Sequence, residues 1–480
     1  MIQIGRRSLL GALAGALVAP TVTRAGEPDI AHRLAQYVAG TSWDALDATT
    51  IETAKAHLID SIGCAIVAFD EPPVRAVRSV ALAQTGACTV LDTAKRTTPD
   101  LATFANGAAL RYYDYNDTYF GKEPGHPSDN MTACLAMAEA EGRSGRDFLL
   151  AMVLAYEIDC RLLDAAELTR GGWDHPIDSL PAAALGAGKL MNLPAEQLAQ
   201  AVNIAINGHI AMNQTRVQVM SDWKGLADAE SGRNGVFAAL LARAGITGPA
   251  PIFEGNAGLF KQVSGPFEID VDKFGGRHGT FLINDCDVKP YPAQGGTITA
   301  IPAAVAVARE VGDLDQIASI KLDTPDFTWR SAGRDREKWA PETKETADHS
   351  LPFVAARAML DGSIGFDSFA VSALHDPKVL ALMAKMTVNP DPALTALAPK
   401  MMANRITATL KDGRVVTQQV NTVPGLGGTK MQPSDFERKF AANVGKVWPA
   451  AQQRRVLDAI WSIDKADKLD DLLTLLVVPA

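Results

Sequence analysis

The sequence predicts a mainly α fold, in which a large helical domain is interrupted by a smaller α/β insert. Three observations predict it. From Asp29 to about Leu259, apolar residues recur at three- and four-residue steps. After Gly265 the texture changes: Gly and Pro become frequent in stretches such as FGGRHGTF and KPYPAQGG, and short β-type runs appear. From Pro433 the helical pattern returns, so the last segment is expected to rejoin the first. A chain of 480 residues also exceeds what one core holds. The expected layout is residues 26–280 for the first helical part, 281–425 for the insert and 426–480 for the closing helical part.

Ahead of these stands a different kind of segment, MIQIGRRSLLGALAGALVAPTVTRAGE. Arg6 and Arg7 precede Ser-Leu-Leu and an uncharged stretch from Ser8 to Thr23, and small residues flank Arg24 in Thr23-Arg24-Ala25. This is the order of a twin-arginine secretory signal, expected to be cut after Ala25 and to direct the protein to the periplasm or outside the cell. The apolar core is too short and too rich in Gly and Ala for a membrane span. No second apolar run is long enough to cross a bilayer, so no membrane association is expected after cleavage.

In the helical part, Ser144 reads as an N-cap with Asp147 three residues on, a capping-box start. Leu149, Met152, Val153, Tyr156, Cys160 and Leu163 then form one apolar stripe. Similar stripes run through 51–69, 179–191, 195–211 and 234–244, dense in Ala and Gly and therefore able to pack closely. Pro194 falls where a first helical turn tolerates proline. In the insert, ASIKLDT and ITATLKDGRVVTQQV read as strands, and Asp412-Gly413 is a hairpin signal. Helical stripes lie between them at 297–310 and 349–361. PSDFERKFAANVGKVW and AQQRRVLDAIWSI close the chain as helices.

Composition excludes some functions. A net charge of −9 with no Lys/Arg run is a poor match for nucleic acid. Cys64, Cys88, Cys134, Cys160 and Cys286 lie 24, 46, 26 and 126 residues apart, without the spacing of a zinc or iron–sulfur ligand set. They read as buried free thiols. Neither a nucleotide-binding Gly-rich loop nor a Gly-x-Ser-x-Gly elbow occurs.

Polar groups interrupt the helical pattern in five places. In RYYDYNDTYFGKEPGHPSDN, Asp114 and Asp117 would share a helix face with Thr118 beside them, and His126 precedes Ser128, Asp129 and Asn130. The stretch reads either as a loop that caps a helix at Met131 or as a site; one short acidic pair is too little for a Mg²⁺ site. GGWDHPIDS puts Asp174 beside His175, a tuned acid/base or a satisfied loop residue. Lys224 in SDWKGLADAESGRNG reads, alone, as a solvated charge. In DVKPYPAQGG, Lys289 is fixed by two prolines and followed by Gln294. Asp348, His349 and Ser350 stand at a helix start, where capping is the simplest account.

DYNDT followed by GHPSDN, then SGRDFLLAMVLAYEI, WDH, WKGLADAESGRNGVFAALLA, VKPYP, ETADHSLPF with AMLDG, and FERKF, resemble the MmgE/PrpD family, most closely its 2-methylcitrate dehydratase branch. The resemblance spans roughly residues 29 to 475. It implies a helical domain with a lid, a homodimer, and chemistry on polycarboxylates without metal or cofactor. The reaction it implies first is dehydration of 2-methylcitrate, with decarboxylation of cis-aconitate or epimerisation of an imino-dicarboxylate as alternatives. It carries Asp114, His126 and His175 over as catalytic residues, and Thr118, Lys224 and Lys289 as substrate-binding ones. Gln294 joins the binding set where family members often have a histidine, and Phe353 stands where a tyrosine is common. These two departures leave a non-catalytic polycarboxylate-binding protein as the other reading.

The chemistry suits these residue types. Lys224 and Lys289 can pair with carboxylates and disperse charge in an enolate-like transition state. Histidines titrate near neutrality and can take a proton from carbon or give one to a departing hydroxyl. Asp114 could orient a histidine, and Thr118 could bind a substrate oxygen. Aconitase-type dehydration would need a cysteine-held cluster, which the spacing does not offer.

Overall fold

The computed structural model describes residues 28–477; the expected signal segment, 1–25, lies outside them. Among the described residues no helix is long and apolar enough to cross a membrane.

The Gly145–Ala165 helix is the central post of the first unit. Its capping box is present: Ser144 Oγ accepts from Asp147 N, and the Asp147 carboxylate accepts from Ser144 N. One apolar stripe was expected, yet every residue from Phe148 to Cys160 is buried. The reason is enclosure. The helices Ala48–Val67, Met131–Ala140 and Pro176–Leu190 pack around it, so even Glu157 and Asp159 lie inside. Glu157 then needs partners, and its carboxylate accepts from Gly275 N (2.9 Å) and Leu282 N (2.7 Å).

Small residues set how closely the helices approach. Gly235, in Ala227–Arg243, faces Pro176–Leu190 so closely that a Cβ there would lie 2.6 Å from Ala183 Cβ. Pro433–Val444 and Ala450–Trp461 return to this unit, burying Phe436, Phe440, Val444, Val456 and Ile460 in its core.

A separate core gathers residues from Ala293 to Leu426. Its sheet runs in the order Met386–Pro390, Ile317–Thr324, Asn404–Leu410, Val415–Val420; the first pair is parallel and the others antiparallel. The hairpin turns at Gly413, whose φ of 88° favours glycine. Asn404, Ile406, Ala408 and Leu410 alternate inward, and Ala300–Val311 and Leu351–Asp361 contribute to the same core. The segments leading into and out of this unit touch: Val288 N donates to Gly425 O at 2.7 Å. A smaller sheet joins Asp117–Phe120 to Pro124–Gly125 and to Asp287–Val288.

Candidate active site

A cleft of about 320 Å³ lies where residues of both units meet. Asp114 is at its base. The Pro99–Arg111 helix ends just before it, and Asp114 takes a left-handed φ of 52°. Asp117 opens the strand Asp117–Phe120, so the two carboxylates do not share a helix face. Aspartate tolerates the left-handed turn, and Thr-Tyr-Phe favours extended backbone beyond it. Asp117 is spent on structure, with His57 Nδ1 3.0 Å from its Oδ2.

Around Asp114 converge three cations. Lys289 Nζ is 2.9 Å from Oδ2 and also donates to Asp114 O, Lys224 Nζ is 3.3 Å from Oδ1, and Arg111 pairs with Oδ1. Burial pushes the Asp114 carboxyl up, but Arg111, Lys224 and Lys289 outweigh it and hold it well below the usual range. The lysines respond in turn: burial, only partly offset by Asp114, lowers Lys224 to about 7 and Lys289 to about 8. Lys224 is therefore no solvated charge. It is wholly buried behind Asp114, while Lys289 lines the cleft.

The two expected histidines are held in opposite protonation states. His126 Nδ1 lies 2.6 Å from Asp117 O, which can only accept, so Nδ1 carries the hydrogen. Its Nε2 keeps a lone pair, 3.8 Å from Asp114 Oδ1. Burial, then Arg111 and Lys289, push this imidazole well below its usual pKa, so it is neutral. His175 has Nε2 2.9 Å from Asp228 Oδ1 and Nδ1 3.3 Å from Asp174 Oδ1. Burial and Arg216 pull it down, but Asp228 and Asp174 more than offset them and raise it to about 9. Arg216 Nη2 also approaches His175 Nε2 at 3.2 Å. The nearer Asp228 carboxylate pairs with the protonated ring as an ion pair, and Arg216 donates to Asp174 (2.7 Å) and Asp228 (3.1 Å). The ring centroids of His126 and His175 are 5.5 Å apart.

Thr118 lines the cleft, its hydroxyl donating to Gly125 O at 3.2 Å. Gln294 reaches it from the second unit; Nε2 donates to Ser331 Oγ at 3.3 Å, and Oε1 is buried without a protein partner. The cleft wall thus unites Asp114, Thr118, His126, His175, Lys289 and Gln294, with Lys224 behind them.

Two further sequence readings differ from the structure. Ser128, Asp129 and Asn130 make no side-chain cap to Met131–Ala140, because the 3₁₀ turn Pro127–Asn130 runs straight into that helix and supplies backbone acceptors. Their side chains join a buried network instead: Asn116 Nδ2 donates to Ser128 Oγ and Asp129 Oδ1, and Asn130 Nδ2 to Asp159 Oδ2. Phe353 does not face the cleft; it is wholly buried in the second core, beside Phe369.

Sequence reasoning missed Arg111, Arg216, Asp228 and His349. The last stands in Asp-His-Ser, where only Ser350 caps, accepting from Phe353 N at 3.1 Å. His349 gives Nδ1 to Asp348 and points Nε2 toward Asp114 Oδ2 at 3.9 Å, in the cleft wall. Burial and Lys224 lower it to about 3, a second neutral imidazole. Neither Asp228 nor Arg216 carries a sequence signal of its own. Among the described residues, no group of three or more His, Cys, Asp or Glu is placed to hold a metal ion.

The MmgE/PrpD N-terminal domain matches residues 32–272 and the MmgE/PrpD C-terminal domain residues 291–465. The 2-methylcitrate dehydratase of Cupriavidus necator is 26% identical over 474 residues, 93% of this chain and 96% of that protein. The 2-methylcitrate dehydratase of Escherichia coli (strain K12) is 25% identical over 438 residues, 86% and 90% of the two chains. The cis-aconitate decarboxylase of Homo sapiens is 26% identical over 406 residues, 80% and 81%.

Proposed function

This chain belongs to the MmgE/PrpD family, and we propose that it is a metal-independent lyase that removes water from a 2-methylcitrate-like tricarboxylate. One observation carries the reading. A single cleft holds a neutral imidazole with a free Nε2 and a protonated imidazole 5.5 Å away, beside a buried lysine. Groups whose environments push their pKa values apart are suited to serve as base and acid in one reaction. The similarity to dehydratases of 2-methylcitrate supports the substrate class.

In this reading Lys289 and Arg111 hold substrate carboxylates, with Lys224 adding positive potential from behind Asp114. His126 Nε2 takes the proton from the carbon next to a carboxylate. The electron pair enters the carboxylate-stabilised enolate form, then makes the double bond as the neighbouring C–O bond breaks. His175 gives its proton to the departing oxygen, which leaves as water. Proton transfer of this kind contributes about 10²–10⁴-fold each. Asp114 keeps the cations in register, and Thr118 and Gln294 address substrate oxygens.

The test is to express residues 26–480 and follow alkene formation across a panel of citrate-like acids. 2-Methylcitrate is expected to react fastest. If every acid stays unchanged at high enzyme concentration, the lyase reading fails. A second reading, decarboxylation of a cis-aconitate-type acid, rests on the similarity to the human decarboxylase; CO₂ release without loss of water would select it.

The N-terminal Arg-Arg segment supports export to the periplasm or beyond, checked by fractionation of the native host. A homodimer is supported by exposed apolar side chains concentrated between Ile210 and Ile246, among them Met212 (64% exposed), Val219, Trp223 and Phe237. Light scattering decides it.

A further inference from the structure

We infer that Cys160 and Cys286 are a disulfide-forming pair. They lie 126 residues apart in the chain, yet their Sγ atoms are 3.7 Å apart. Cys160 sits on the buried Gly145–Ala165 helix, packed on every side. Cys286 is only partly buried and stands between the single turn Leu282–Asp285 and the two-residue strand Asp287–Val288. A disulfide needs sulfurs about 2.0 Å apart, so closure is about 1.7 Å, within reach of a side-chain rotation and a small shift of the short Cys286 segment. The helix need not move.

Access comes from a second cleft, about 610 Å³, distinct from the histidine site. Cys286 lines it together with Ala56, Asn284, Met431 and Phe436, and Cys160 does not. A small oxidant carrying its own disulfide therefore meets Cys286 first. The Cys286 thiolate attacks one sulfur of that oxidant and expels the first thiolate. The Cys160 thiolate then attacks Cys286 Sγ in the mixed disulfide and expels the second. Two protein thiols are oxidised, the external disulfide is reduced to two thiols, and the two protein protons end on those thiols.

Burial pushes Cys286 up to about 12 and Cys160 well above its usual value. Scarce thiolate makes formation slow, and poor leaving groups make the finished bond resist reduction. The pair is thus a durable cross-link rather than a fast switch. It fastens the strand that leads into Lys289, and that pairs with Thr118, to the central helix. The export proposed above would carry the folded chain to a compartment where such a bond persists.

Cys64, Cys88 and Cys134 are buried free thiols and serve as internal controls. Intact protein is incubated with oxidised glutathione, quenched, denatured, alkylated and weighed. The expected count falls from five adducts to three, and peptide mapping finds Cys160 joined to Cys286. Oxidation raises Tm by a few degrees in the parent and leaves the Cys286→Ser variant unchanged. Five adducts after prolonged incubation, a glutathione adduct that never resolves, or a different pairing each overturns the inference. The readouts do not depend on turnover, so they stand apart from the lyase assay.

Discussion

Replacing Asp228 by asparagine isolates the charge on His175. Asp228 Oδ1 lies 2.9 Å from His175 Nε2 and is the largest influence raising that imidazole, which stands at about 9. An opposite charge this close typically moves a pKa by about 1–3, so the variant's His175 is expected at about 7. The protonated, acid form exists below the pKa and is lost as pH rises through it. At about pH 7.5 it is then about 97% populated in the parent and about 25% in the variant, by simple titration from those values. An about fourfold fall in kcat follows at that pH, with most of it regained at about pH 6 and the basic limb displaced toward acid. Arg216 keeps Asp174, and Arg111 keeps Asp114 and Asp129, so the fold is expected to survive a loss of about 3–5 kcal/mol from the broken buried pairs. The assay is kcat against pH on the acid that the parent turns over, with Tm recorded at each pH. A basic limb that stays in place, or a loss not regained at lower pH, refutes the assignment of His175 as the acid.

The His126→Asn variant removes the free Nε2 and is expected to lower kcat by about 10²–10⁴-fold with little change in KM, read by steady-state kinetics. Because His126 is held well below its usual pKa, the parent should keep its activity down through mildly acidic pH, and an acid limb near neutrality would contradict this. Lys289→Met strips a cation that is 2.9 Å from Asp114 and faces the cleft; KM for a polycarboxylate should rise about tenfold or more, and in the parent KM should climb as pH passes about 8. Gly235→Ala places a Cβ 2.6 Å from Ala183 Cβ, an overpacking cost of about 1–3 kcal/mol that better helix propensity offsets by about 1 kcal/mol; thermal melting should show a lower Tm.

Most helices were legible because periodicity and caps are local. Ser144 with Asp147 acts within one turn and holds in the structure, while Pro194 stands one residue earlier than expected, at the N-cap of Ala195–Gly208. Asp412-Gly413 is equally local and turns the hairpin. What the pattern understated was burial all round the Gly145–Ala165 helix, since enclosure depends on neighbours distant in sequence. The site divides in the same way. His126, His175 and Lys289 stand in punctuated stretches with glycine or proline beside them, so they drew notice. Arg216 and Asp228 matter only because the fold sets them against His175. Lys224 misled for the converse reason: nothing in Trp-Lys-Gly announces that tertiary packing buries it completely. His349 was hidden by a correct neighbour, for Ser350 does cap and so seemed to account for all three polar residues.

The hydrogen bond from Val288 to Gly425 has a practical meaning for engineering. It brings the two crossing points of the chain together, so everything between them forms a closed cassette on a narrow neck. Exchanging that cassette between relatives would transplant Gln294, Ser331 and His349 as a set while leaving His126, His175 and their carboxylates untouched. A chimera of this kind separates recognition from proton transfer in one recombination, without altering the helical frame.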